Sequence, residues 1–264
     1  MSVQKTILFR STNILAFICT IAVNAFAGST RLLNGKTSGE VSDMFPTLIT
    51  PAGFTFSIWG VIYTLLLVFI VYQALPRNSG QPFLRQISFL FALSGILNIF
   101  WLFLWHYELI TLSLLLMFAL LASLIAIYLR LNIGREEVSL RERLCVHVPF
   151  SVYLGWITVA SIANVAVALT AVGWDGGGIE QVTWAVLVII VALLITLTSI
   201  ATRKDAAYSL VIVWALAGIT VKQIENQTIV LTAEAAMVII LAAVVVMAVV
   251  SRLKSKMHLC CSSW

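Results

Sequence analysis

Apolar runs of about twenty residues, separated by short polar stretches, recur along the entire chain. A run of that length spans the hydrocarbon of a bilayer as a helix, which satisfies all its own backbone hydrogen bonds there. The pattern predicts eight such helices, near residues 7–27, 51–75, 84–105, 109–130, 144–172, 182–202, 206–221 and 229–250. The alternation of a membrane β-barrel is absent. The fold class is therefore all-α, a polytopic helical bundle.

Boundary residues sharpen several ends. Thr50 and Pro51 read as N-cap and first position of the second segment, where a missing N–H costs nothing. Only His106, Tyr107 and Glu108 separate segments three and four, which predicts a tight antiparallel hairpin. Asp175 and the glycines at 176–178 predict a flexible turn before segment six. The loop from Gly28 to Thr50 exceeds an ordinary connection and predicts a folded lid or functional loop.

Composition agrees with the pattern: 61% of residues are hydrophobic and 10% charged, where a soluble domain carries about 25% charged residues. The net charge of +5 forms no patch suited to nucleic acid. Instead it follows the span ends. Lys5, Arg10, Arg77, Arg85, Arg130, Arg135, Arg141, Arg143, Arg203, Lys204, Arg252, Lys254 and Lys256 fall on one side of an eight-span topology, and Arg31, Lys36 and Lys222 on the other. That skew predicts both termini in the cytoplasm. The membrane is the plasma membrane in a prokaryote, with an organelle membrane the eukaryotic alternative. Segment one, ending Ala25-Phe26-Ala27, also fits a cleavable signal peptide, but the charge skew favours its retention. Cys19, Cys145, Cys260 and Cys261 do not form a disulfide framework, although the last two sit where acylation is conceivable in a eukaryote.

Side chains with something to offer a ligand cluster in three segments. Phe56, Trp59 and Tyr63 are spaced i, i+3, i+7, on one helix side. Asn98, Trp101 and Trp105 repeat that spacing in segment three. In segment five Tyr153, Trp156, Ala160 and Asn164 share a face, with Gly155 and Ser161 allowing close approach of another helix. An amide deep in a span must find a partner, so both asparagines face helices or a cavity. Aromatic stripes and buried amides most often serve helix packing, so a ligand site must be argued from more than spacing.

These segments resemble the TspO/MBR family, the tryptophan-rich sensory or translocator-protein-like proteins. Its second-helix pattern matches Pro51, Trp59 and Tyr63; its third, Leu97, Asn98 and Trp101; its fifth, Tyr153, Leu154, Trp156, Ala160, Ser161 and Asn164. Thr50 stands where the family has the first proline of a pair, and Gly53 where tryptophan is frequent. The resemblance covers the first five helices, dividing the chain into a TspO-like part at 1–173 and three further helices with a basic tail at 174–264. It implies a cavity under the first loop that binds a flat hydrophobic ligand, porphyrin or sterol-like. Phe56, Trp59, Tyr63, Asn98, Trp101, Trp105, Tyr153, Trp156 and Asn164 would be the ligand-binding residues. No cofactor is required, a porphyrin-type molecule being ligand rather than prosthetic group. Expected partners are membrane lipids, that ligand and, through small-residue faces, a second copy as homodimer; nucleic acid is not among them. The role implied is sensor, regulator or carrier. The alternatives are a secondary transporter of a small apolar solute and a light-dependent porphyrin-degrading enzyme.

Elsewhere, His106 reads as a solvated interfacial residue and His147 as lacking the neighbours of a metal site. Glu234 either pairs with Lys222 across the ends of segments seven and eight or snorkels to the outer interface. Asn226-Gln227-Thr228 is a glycosylation sequon, meaningful only in a eukaryotic secretory membrane.

Overall fold

The computed structural model describes residues 3–29 and 33–261, with side chains described over 4–27 and 33–253. Arg31 and the side chains of Lys254, Lys256, Cys260 and Cys261 lie outside the described residues. The described residues contain helices and no strand. Helix α1 (Val3–Ser29) is followed by a short α2 (Ser38–Asp43), a 3-10 turn (Gly53–Ser57) and α3 (Ile58–Ala74). Next come α4 (Pro82–Ile87), α5 (Leu90–His106), α6 (Ile110–Arg130), α7 (Leu140–Glu142) and α8 (Val148–Ala171). The chain ends in α9 (Gln181–Arg203), α10 (Ala206–Lys222) and α11 (Gln227–Cys261). Among the described residues, six helical stretches are long and apolar enough to cross a membrane, and α5 and α10 are shorter apolar helices.

The contacts close a ring in which α1 packs on α3, α3 on α8, α8 on α6, α6 on α5 and α5 back on α1. Helix α10 packs against the outside of α8, and α9 and α11 pack against α10 and each other. Helix α8 is the most buried span and α11 the least. The approach of α10 depends on Gly155, where an added Cβ would meet Val211 Cβ at 3.0 Å and the Tyr208 carbonyl at 3.1 Å. The small residue expected to admit a neighbour does so.

Sidedness follows from what hydrocarbon tolerates. On α1, Leu15 and Ile18 are exposed, whereas Thr6, Asn13 and Thr20 are buried. The polar stripe faces protein because an amide in lipid lacks a partner. Asn13 Nδ2 donates to Gln73 Oε1 of α3 at 3.1 Å. Toward the same end of the ring, Asp205 caps α10 by accepting from the Tyr208 N–H at 3.1 Å. Its other carboxylate oxygen accepts from Tyr128 Oη at 2.9 Å and Ser151 Oγ at 2.7 Å. A single buried carboxylate thus ties α10 to α6 and α8.

Several expected elements are revised. The second segment is not an α-helix from Pro51. Ala52 is the N-cap of the 3-10 turn without side-chain help, and regular helix begins at Ile58. Thr50 is buried, its N–H held by Thr47 Oγ1 at 3.1 Å. The third segment breaks at Ser88, which has φ 51° and separates α4 from α5. The fifth segment opens in a π-helical turn at Arg143–His147, where Val148 N–H reaches the Arg143 carbonyl. Pro149 supplies no N–H, so a regular α-helical ladder loses a bond at this point. The glycine turn before α9 is fastened: Trp184 Nε1 donates to the Gly176 carbonyl at 2.8 Å and its ring lies 5.4 Å from that of Trp174.

Candidate functional site

A cavity of about 460 Å³ lies at the end of the ring covered by the first loop. Its roof is α2, whose Thr37 and Glu40 form a reciprocal capping box. One wall is the start of α3, contributing Phe56, Trp59 and Tyr63. Asn24 and Ala27 of α1 and Leu102 of α5 complete the opposite side. The three rings reach one space because the 3-10 turn carries Phe56 in while the α-helix carries Trp59 and Tyr63.

The nine predicted ligand residues separate into three groups. Phe56, Trp59 and Tyr63 line the cavity. The Trp59 and Tyr63 rings stack at 5.5 Å with 16° between planes. Tyr153 and Trp156 stand behind this wall, meeting Trp59 edge-on at 6.1 and 6.3 Å. Phe56 meets Trp156 at 5.8 Å in the same manner. Such T-shaped contacts fix ring orientation, so Trp59 reaches the cavity with little rotational freedom.

The third group seals α5 against its neighbours. Trp101 and Trp105 stack at 5.8 Å and are both buried. Trp101 Nε1 donates to Asn164 Oδ1 of α8 at 3.0 Å, and Asn164 Nδ2 donates to Ser113 Oγ of α6 at 3.2 Å. Trp105 Nε1 donates to the Ser38 carbonyl at 3.1 Å, holding the roof down. Asn98 lies between the groups. Its Oδ1 accepts from Asn24 Nδ2 at 2.7 Å, linking α5 to a cavity-lining residue of α1.

Four buried donors of this neighbourhood have no hydrogen-bond partner: Thr55 Oγ1, Tyr63 Oη, Asn98 Nδ2 and Trp156 Nε1. Unsatisfied buried polar atoms are uncommon and call for a physical account. The acidic groups of the roof are engaged, since Glu40 Oε2 accepts from the Thr37 N–H at 2.8 Å and Asp43 Oδ1 accepts from Lys222 Nζ at 2.6 Å. The described lining contains no histidine, cysteine or lysine. The lining offers aromatic surface together with hydroxyl, amide and carboxylate groups.

One expectation about polar residues changes, and one alternative drops out. His106 is buried rather than solvated, with Nδ1 at 2.8 Å from the Leu102 carbonyl. Lys222 pairs with Asp43 rather than Glu234, which is exposed. Asn226 accepts from the Ile229 N–H at 3.3 Å, a helix-capping role for the sequon residue. Cys19 and Cys145 are free thiols, and no group of three metal-ligating side chains gathers among the described residues.

Sequence reasoning missed Asn24 and the α2 residues. Asn24 lies in what reads as an ordinary apolar segment, and only its being an amide within a span signals it. The roof residues are signalled only collectively, by the length of the Gly28–Thr50 loop and the Thr37-x-x-Glu40 capping-box spacing.

A protein-family model described as TSPO-like protein matches residues 9–247. The chain belongs to the TSPO-like family. The match begins in α1 and ends within α11. Comparison with curated proteins and with solved structures yields no match. Together with its long apolar helices, family membership makes this TSPO-like chain an integral membrane protein.

Proposed function

We propose that this TSPO-like protein binds a flat hydrophobic ligand, a porphyrin or a sterol-like molecule, in the cavity beneath α2, and acts as a sensor, regulator or carrier. The observation that carries this reading is the Phe56–Trp59–Tyr63 wall, braced by Trp156 and facing a cavity with unpartnered donors nearby. A volume of about 460 Å³ falls within the range of about 300–1,000 Å³ typical of small-molecule sites. Tyr63 Oη and Asn98 Nδ2 suit a carboxylate or carbonyl on the ligand edge. The charge skew supports eight passes with both termini cytoplasmic, which puts the cavity mouth on the outer side.

Titration with protoporphyrin, read by quenching of tryptophan fluorescence, tests the reading. Saturable quenching that weakens in Trp59→Phe supports it. Absence of saturable quenching, or quenching untouched by that substitution, refutes it. Uptake into liposomes reconstituted with the protein separates a carrier from a sensor.

A further inference from the structure

Helix α10 stands outside the five-helix ring, yet it makes a run of specific contacts to the segment that forms the cavity wall. The Ala52 N–H donates to the Gly218 carbonyl at 3.0 Å. Trp214 Nε1 donates to the Thr55 carbonyl at 3.0 Å, and the Trp214 ring meets Phe54 edge-on at 5.6 Å. A Cβ at Gly218 would overlap Thr55 Oγ1 and lie 2.9 Å from Pro51 Cβ. At the end of the helix, Lys222 pairs with Asp43 of the roof, and Gln223 Nε2 donates to the Thr47 carbonyl at 3.3 Å. Gly53, Phe56, Ser57 and Asp43 line the cavity, whereas Gly218, Trp214 and Lys222 do not.

The wall needs such support. The 3-10 turn Gly53–Ser57 has no side-chain cap, and short 3-10 segments have poorer hydrogen-bond geometry than an α-helix. Beyond its own short-range bonds, α10 adds two: the Gly218 carbonyl holds the N–H of its N-cap Ala52, and the Trp214 indole N–H holds the Thr55 carbonyl. We propose that α10 is the positioning element of the cavity mouth. Gly218 sets how far the Ala52–Ser57 wall stands from the ring, and the Lys222–Asp43 pair latches the roof to that same helix. Ligand size and residence time are then controlled by residues that never touch the ligand. This rests on the proposed ligand site for its consequence, though not for its geometry.

The test has two arms, both on the full chain with its four cysteines replaced by serine. In the ligand-free arm, Ser57→Cys reports the wall position through its rate of labelling by a water-soluble maleimide. Lys222→Ala is expected to change that rate about two- to fivefold, the scale of a partly exposed ion pair, and Gly218→Val, whose side chain must push Thr55 and Pro51 aside, to change it at least as much. The charge exchange Lys222→Asp with Asp43→Lys restores the original rate, which a merely structural role for Lys222 would not produce. In the second arm, protoporphyrin dissociates faster from Lys222→Ala by a similar factor and slows again in the charge exchange. Glu234→Gln, on exposed α11, leaves both readouts unchanged. If wild-type protein binds no porphyrin, the ligand reading fails and the labelling arm alone decides the positioning claim. Labelling rates that stay the same in both Gly218→Val and Lys222→Ala overturn the inference, even if porphyrin binds.

Discussion

Consider Asn164→Leu, a change of similar volume at a residue only 1% exposed. Asn164 Oδ1 accepts from Trp101 Nε1 at 3.0 Å, and its Nδ2 donates to Ser113 Oγ at 3.2 Å. The serine proton is already committed to the Ile110 carbonyl at 2.8 Å, so the second Ser113 approach to Oδ1, at 3.4 Å, adds little. Leucine therefore orphans one donor, the Trp101 indole, at a cost of about 1–3 kcal/mol. It also removes the amide bond to Ser113, a contact between spans worth about 0.6 kcal/mol. The expected loss is about 2 kcal/mol, or a thermal midpoint lower by roughly 4–8 °C in detergent on soluble-protein scaling. Trp101→Phe in the leucine background removes the orphaned N–H, so the double variant is more stable than the sum of the single losses implies, with a coupling of about 1 kcal/mol. Thermal unfolding followed by tryptophan fluorescence measures all three variants. Porphyrin affinity, measured in parallel, stays within about twofold, because a change of about 0.4 kcal/mol is all that a site outside the cavity should transmit. A leucine variant that keeps its midpoint but loses porphyrin would refute the placement of Asn164 in the α5–α6–α8 seam.

Trp59→Phe should weaken porphyrin binding about tenfold, since losing indole surface from a stacked wall is worth about 1.4 kcal/mol, and equilibrium titration checks it. Asp205→Ala should destabilise by about 2–4 kcal/mol, because it deletes a helix cap and strands the hydroxyls of Tyr128 and Ser151; an unchanged midpoint would mean that α10 is held elsewhere. Lys36 and Glu108 form an ion pair about one-third exposed on each side (33% and 34%), so Lys36→Met should cost less than about 1 kcal/mol and lose its effect in high salt, as hydrogen exchange of the loop would report. Cysteines placed at Ser79 and Gly177 should label from opposite sides of a sealed membrane; labelling from the same side would sink the eight-pass topology.

The membrane class and the approximate extent of the apolar helices were legible in the sequence because bilayer hydrocarbon imposes one length and one polarity on every crossing segment. Residues whose pairing partner is close in sequence were also readable, as in the hairpin at 106–108. The aromatic and amide positions announced themselves by type and spacing. Their roles did not. Trp59 and Trp101 carry the same ring at the same kind of position, yet one faces the cavity and the other donates to an amide 63 residues away. Helical periodicity names a face without saying what that face meets. The 3-10 start of α3, bonded to Gly218 and Trp214, and the pairing of Lys222 with Asp43 likewise depend on contacts between distant segments. Only the folded chain decides them, because packing chooses among partners that local physics leaves equivalent.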